Sequence, residues 1–169
     1  MRNLYIDFDG VILDTIAVFY KMMDEQGIDK KDEETVKNFF LEMNWRKILK
    51  ETPEINNSMS AIQKIIESNK FYVTILTHVY SLNEAVEKVN YIRKFFKDIT
   101  IIPVPKAISK TKMVYTKDAI LVDDFSGNLN EWENEGGIPI KFVKEEKDSV
   151  YKTITSLLEL IDLDYENLS

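Results

Sequence analysis

The chain has 169 residues, of which 44% are hydrophobic and 30% charged, and its 22 Lys and Arg stand against 29 Asp and Glu for a net charge of −7. That length suits one domain able to bury a core, the acidic balance gives no basic stripe for tracking a nucleic-acid backbone, and the absence of Cys excludes disulfides and thiolate metal sites. No secretory leader is visible and every apolar run falls short of the roughly 20 residues a spanning helix needs, so the expectation is a cytoplasmic protein with neither membrane nor nucleic-acid polymer as partner.

The first element is an apolar run, Leu4-Tyr5-Ile6, that leads into Asp7-Phe8-Asp9-Gly10-Val11-Ile12-Leu13-Asp14-Thr15. It reads as a buried strand, and strand alternation places Asp7 and Asp9 on one side of the chain where it leaves the sheet. Gly10 lets the chain turn there. Asp14 and Thr15 are suited to cap the helix that follows.

Residues 16–57 show helical patterns without a strand signal: one over residues 16–23, another carried by Val36, Phe39, Phe40 and Met43, with an acidic, lysine-rich turn between them and Pro53 at the exit. From there strand and helix alternate, as in a parallel sheet covered on both faces. Residues 71–77 form a strand ending in Thr77, followed directly by His78, the only histidine. Ser81-Leu82-Asn83-Glu84 has the form of a capping box, and Leu82, Ala85, Val86, Val89, Ile92 and Phe96 then recur at helical spacing. Residues 99–104 make a third strand and residues 119–122 a fourth, which ends in Asp123-Asp124. A helix over 127–135 stops at Gly136-Gly137, a fifth strand covers 138–143, and a closing helix over 149–163 presents Val150, Ile154, Leu157, Leu158 and Ile161 on one face.

Two pairs of carboxylates at strand ends repel one another unless a cation sits between them. In one parallel sheet both would meet at the carboxyl edge, where open α/β sheets hold their ligands, and an all-oxygen nest of that kind suits Mg²⁺.

The string from Asp7 to Thr15 resembles the first motif of the haloacid dehalogenase-like (HAD) superfamily of phosphohydrolases, Asp-x-Asp-Gly-(Val/Thr)-x-x-Asp-(Thr/Ser), at every defined position. Thr77 is similar to the family's second motif, a lysine before the second acidic pair to its third, and Asp123-Asp124 to its fourth. For the third motif Lys112 stands at about the family distance, with Lys110 and Lys106 as competitors. The stretch from Asp123 through Asn128 and Trp132 to Gly136-Gly137 is also similar to that of the 5′(3′)-deoxyribonucleotidases, although Phe125-Ser126 stands where those proteins often carry Arg-Pro.

The resemblance implies an α/β fold with a Rossmann-like parallel sheet, helices on both faces, and a small helical cap inserted after the first strand: residues 1–15 and 58–169 as core, 16–57 as cap. It implies a Mg²⁺-dependent phosphatase in which Asp7 attacks phosphorus and Asp9 serves as acid and then base. Thr77 and Lys112 would bind the phosphate, and Asp7, Asp9 (through its carbonyl), Asp123 and Asp124 would hold the metal. By its place directly after Thr77, His78 is a further candidate for the phosphate or the leaving group, with orienting its loop as the plainer role. The substrate expected is a small phosphorylated molecule, by the deoxyribonucleotidase likeness a (deoxy)nucleoside monophosphate; sugar phosphates, through a phosphatase or phosphomutase, are the alternative. A non-catalytic phosphate-binding protein is the competing class, and the intact carboxylates argue against it. Phe39, Phe40 and Trp45 are candidates for stacking on a base, with packing of the cap as the plainer role. The oligomeric state is open, a homodimer included.

Overall fold

The computed structural model describes residues 1–168. Six strands form one sheet in the order β3-β2-β1-β4-β5-β6, with every pairing parallel. In chain order these are β1 (Arg2–Ile6), β2 (Phe71–Val79), β3 (Thr100–Pro105), β4 (Ile120–Asp123), β5 (Ile138–Phe142) and β6 (Lys152–Ile154). Strands covered on both faces need apolar side chains on both, and β4 accordingly has none that reaches solvent. The strand order reverses between β1 and β4, the switch point at which such sheets open a crevice.

The helices are α1 (Thr15–Glu25), α2 (Glu33–Glu42), α3 (Trp45–Glu51), α4 (Ser58–Glu67), α5 (Leu82–Arg93) and α6 (Ser126–Asn134). One buried cluster joins Leu4, Ile6, Ile120 and Val122 of the sheet to Phe19 of α1, Phe40 of α2 and Trp45 of α3. A smaller one on the opposite face packs Tyr5 and Leu121 against Leu129 and Trp132 of α6. The three helices between β1 and α4 are thus continuous with the main core. No helix among the described residues is long and apolar enough to cross a membrane.

Three sequence expectations change. Helix α5 buries only part of its apolar stripe: Leu82 is 86% and Val86 54% exposed, while Ile92 and Phe96 are buried and are joined in the interior by Glu84 and Lys88. The capping box there is half made, since Ser81 Oγ accepts from the Glu84 amide but the Glu84 carboxylate turns to the Tyr80 amide, 2.7 Å away, and to Lys88. The closing helix is replaced by β6, paired to β5, and a 3-10 helix at Leu157–Ile161, with Val150 95% exposed. A period of two in Thr153-Ile154 and a capping box at Ser156 and Glu159 divide that stretch.

Candidate active site

The Asp7 amide donates to the Val122 carbonyl at 2.9 Å, one step beyond the Ile6–Val122 pair, so the β1–β4 ladder delivers Asp7 beside Asp123. Next the chain winds tightly: the Ile12 amide donates to the Phe8 carbonyl and the Gly10 amide to that of Leu13, both at 2.9 Å. Gly10 has φ +75°, and a Cβ there would lie 2.3 Å from Asp124 Oδ2. Only glycine permits both the turn and the approach of the second acidic pair.

Oxygens of Asp7, Asp123 and Asp124 lie within 4.8 Å of one another. Lys110, on a 3-10 helix at Lys110–Lys112, reaches them from below: its Nζ is 2.8 Å from Asp7 Oδ1 and 2.7 Å from Asp123 Oδ2. Burial alone would lower the pKa of Lys110, but Asp123 and Asp7 outweigh it and hold the ammonium charged. Asp123 is fixed further by the Phe125 amide and by Asn128 Nδ2, each at 2.9 Å. One ammonium against three carboxylates leaves a double negative charge, and the acids respond by holding protons. Burial, then Asp123, raises Asp7 to about 7; burial, then Asp7 and Asp123, raises Asp124 to about 8. Three crowded oxygen donors with that surplus fit a hard divalent cation such as Mg²⁺.

Asp9 stands apart from this trio. Its Oδ1 accepts from Thr15 Oγ1 at 2.7 Å and its Oδ2 from Lys88 Nζ at 2.5 Å. Thr15 therefore steadies Asp9 instead of capping α1, and Asp14, at the N-cap position, makes no side-chain cap bond and pairs with Lys144 at 3.1 Å. Lys88 is fully buried and also meets Glu84 at 2.8 Å, Thr77 Oγ1 at 3.2 Å and the His78 carbonyl at 3.1 Å. Its Nζ lies 5.3 Å from the Phe8 ring centre and 5.4 Å from that of Trp45.

A cavity of about 360 Å³ opens above these acids, with Asp7, Asp9 and Asp124 in its lining and Phe19, Phe40 and Trp45 among its apolar walls. Phe40 is spent on packing, stacked 4.6 Å from Tyr80 and edge-on to Phe19. Phe39 lines a different groove, behind α1 and α2. The aromatics left open at this cavity are Tyr20, 54% exposed with Lys30 over its ring, and Phe125, 59% exposed with Lys106 over its ring.

Of the residues singled out from sequence, Asp7, Asp123 and Asp124 come together, Asp9 adjoins them, and Thr77 is fully buried two residues before the end of β2, which runs on past the expected stop, with its hydroxyl 3.2 Å from Lys88. His78 lines the cavity and donates from Nε2 to the Ile108 carbonyl at 2.9 Å; burial lowers its pKa, so the neutral ring is favoured. Lys112 does not join them. It is exposed and 3.6 Å from Glu135, and Lys110 takes the place assigned to it. The two are two residues apart on a helix of three residues per turn, so only one can face the acids. Lys88 had no motif to mark it, and Glu84 was marked only as a capping residue; the clue was a Glu and a Lys four apart on the same face as Ile92.

No family model matches the chain, and no curated protein matches it in sequence. Solved structures do. A HAD phosphatase from Thermococcus onnurineus superposes with a TM-score of 0.60 at 14% identity, over 96% of this chain and 97% of that one. The fold is that of the HAD hydrolases. The HAD hydrolase YfnB from Bacillus subtilis, bound to magnesium, gives 0.60 at 16% identity over 99% and 98% of the two chains. D,D-heptose 1,7-bisphosphate phosphatase from Burkholderia thailandensis gives 0.57 at 11% over 95% and 96%. Asp7 and Asp123 sit at the β1–β4 switch point, where open α/β sheets form a crevice for ligands.

Proposed function

We propose that the chain is a Mg²⁺-dependent phosphatase working through an aspartyl phosphate, with a (deoxy)nucleoside monophosphate as substrate. The observation that carries the reading is the meeting of Asp7, Asp123 and Asp124 over Lys110 at the floor of a cavity. A phosphate dianion entering such a site needs positive charge around its oxygens, and Mg²⁺ held by Asp7, Asp123 and Asp124 would supply it. Asp7 attacks phosphorus while Asp9 gives its proton to the departing alcohol oxygen. The carboxylate of Asp9 then takes a proton from water, whose oxygen attacks the phosphorus and releases Asp7 and inorganic phosphate. Lys110 pulls Asp7 toward its ionised form, against burial and Asp123, and aims it. His78 and the Asp9 carbonyl complete the phosphate and metal surroundings in this reading, and Thr77, fully buried and 3.2 Å from Lys88, supports them from within the core.

Residues 16–57 would act as the cap over the core formed by 1–15 and 58–169. Their Phe19, Phe40 and Trp45 wall the cavity and exclude water from it. The preference for a nucleotide rests on the open rings of Tyr20 and Phe125, each with a lysine over its face, a pairing suited to a planar base. The deoxyribonucleotidase-like stretch adds less than its length suggests. Asn128 holds Asp123, Trp132 Nε1 donates to the Ala119 carbonyl at 2.9 Å, and a Cβ on Gly137 would fall 2.2 Å from Trp132 Nε1, so its marked residues brace the site and do not read a base.

The sugar-phosphate reading keeps one support, the shared fold with a heptose bisphosphate phosphatase. A panel of nucleoside monophosphates and sugar phosphates, assayed for released phosphate with and without Mg²⁺, decides between them. Nucleotide turnover well above that of sugar phosphates is expected; the reverse order would move the assignment to sugar phosphates, and no turnover of any ester would end the phosphatase reading.

A further inference from the structure

Lys88 is the least expected charge in the molecule. It is fully buried on α5, where the apolar Leu82 and Val86 face water instead, and taking an ammonium out of water costs several kcal/mol even after relaxation. Glu84, one turn earlier on α5 and 2.8 Å away, would suffice to neutralise it. A second carboxylate is engaged nonetheless, that of Asp9, from a segment 79 residues distant. Buried ion clusters are poor devices for stability, since apolar residues of similar volume often serve as well or better. The cost is better matched by a role in the site.

The geometry supplies one. Lys88 and Thr15 take one oxygen each of the Asp9 carboxylate, at 2.5 and 2.7 Å, and so fix its plane from two sides. Lys88 is itself held by Glu84, by the His78 carbonyl at 3.1 Å and by Thr77 Oγ1 at 3.2 Å, with Phe8 and Trp45 rings beside it. Glu84 is anchored in turn by the Tyr80 amide. The end of β2, α5 and α3 therefore converge on one ammonium, and that ammonium sets where Asp9 points. Lys88 has no exposed surface and does not line the cavity, so it acts on substrate through the groups it holds, of which Asp9 is the one assigned to proton transfer.

We propose that Lys88, braced by Glu84, is a positioning residue for the acid-base group Asp9. The inference rests on the phosphatase reading above. Misplacing a general acid harms substrates in proportion to how badly their leaving oxygen needs a proton, a selectivity that general loss of folding does not produce. General acid catalysis contributes about 10²–10⁴-fold, which sets the scale.

The test compares kcat/KM, which reports the step up to departure of the alcohol, for a nucleoside 5′-monophosphate and for p-nitrophenyl phosphate in Mg²⁺, using the full chain and Lys88→Met. A nucleoside oxygen needs protonation and nitrophenolate does not. The expected result is a loss of at least about 50-fold on the nucleotide with a loss within about fivefold on the nitrophenyl ester. Losses of equal size on both esters, or none, overturn the inference. Because Lys88→Met leaves Glu84 buried without its partner, Lys88→Met/Glu84→Gln is assayed beside it and takes its place if the single variant fails to fold. If the double variant also fails to fold, Lys88 is a structural support and the inference falls. A wild-type chain that turns over neither ester refutes the phosphatase reading itself, which separates that failure from the failure of Lys88 as a positioning residue.

Discussion

Gly10 and Asp124 occupy the same few ångströms: the space where a Cβ of residue 10 would sit is 2.3 Å from Asp124 Oδ2. The turn after β1 and the second acidic pair are thereby made for each other, because any side chain at residue 10 displaces a carboxylate of the proposed metal site. Gly10→Ala also strains a backbone at φ +75°, at a cost of about 1–3 kcal/mol. Expected are a lower Tm and a higher Mg²⁺ concentration for half-maximal activity, measured by thermal unfolding and by metal titration of turnover. Wild-type Mg²⁺ dependence in Gly10→Ala would show that Asp124 is not a ligand.

Asp7→Asn separates chemistry from stability. A carboxamide cannot attack phosphorus at a useful rate, so turnover should fall by more than about a thousandfold, the scale on which losing a nucleophile acts. The folded chain has the opposite interest, since burial and Asp123 push the Asp7 carboxyl up to about 7. Removing that charge relieves repulsion, and in EDTA at neutral pH the Tm of Asp7→Asn should equal or exceed that of wild type. A large drop in Tm would mean that the Asp7–Lys110 pair outweighs the crowding.

The sequence carried the site's acids because their positions are fixed by the strands that precede them. Apolar runs such as Leu4-Tyr5-Ile6 and Ile120-Leu121-Val122 can only be central strands, and a parallel sheet aligns their ends. Lys110 was harder to find because a lysine on a short irregular turn has no periodicity to set its direction. The first turns of helix α5 escape the pattern for a related reason, although the helix and its buried Ile92 and Phe96 follow it. Periodicity counts Leu82 and Val86 as core and Glu84 and Lys88 as surface, and Asp9 reverses that order by giving the buried ammonium a partner 79 residues away. At residues 149–163, five apolar side chains at helical spacing concealed a three-residue strand whose pairing partner, β5, decides its conformation.

The raised acids make a prediction with a definite sign. Asp7 at about 7 and Asp124 at about 8 hold protons in the folded chain that the unfolded chain, with carboxyls near their ordinary value of 3.8, has released. Unfolding between about pH 4 and 8 then releases protons, so this contribution to stability is full below the unfolded value and is lost as pH rises through 7 and 8. In EDTA, Tm should fall from about pH 4 to about pH 8 on account of these two groups and level off above that. Mg²⁺ competes with those protons, so its stabilising shift should grow over the same interval. A metal-induced shift independent of pH would separate the cation from these carboxylates.

Lys110 and Lys112 give the sharpest contrast available in one short segment. Lys110 is 2% exposed between Asp7 and Asp123, whereas the side chain of Lys112 is 68% exposed near Glu135. Lys112→Ala removes an ion pair in open solvent, where such pairs are worth about 0–1 kcal/mol, and activity should stay within about twofold of wild type. Lys110→Met keeps the length of the side chain and removes the ammonium, leaving Asp7 and Asp123 to face each other across a buried gap. Turnover should fall by about a hundredfold or more, the scale of losing one preorganised electrostatic group. Mg²⁺ should bind at least as tightly, because the carboxylates have lost a competing cation. Turnover of both variants is read with calorimetric Mg²⁺ binding, and a severe loss in Lys112→Ala with normal turnover in Lys110→Met would return the phosphate-site lysine to residue 112.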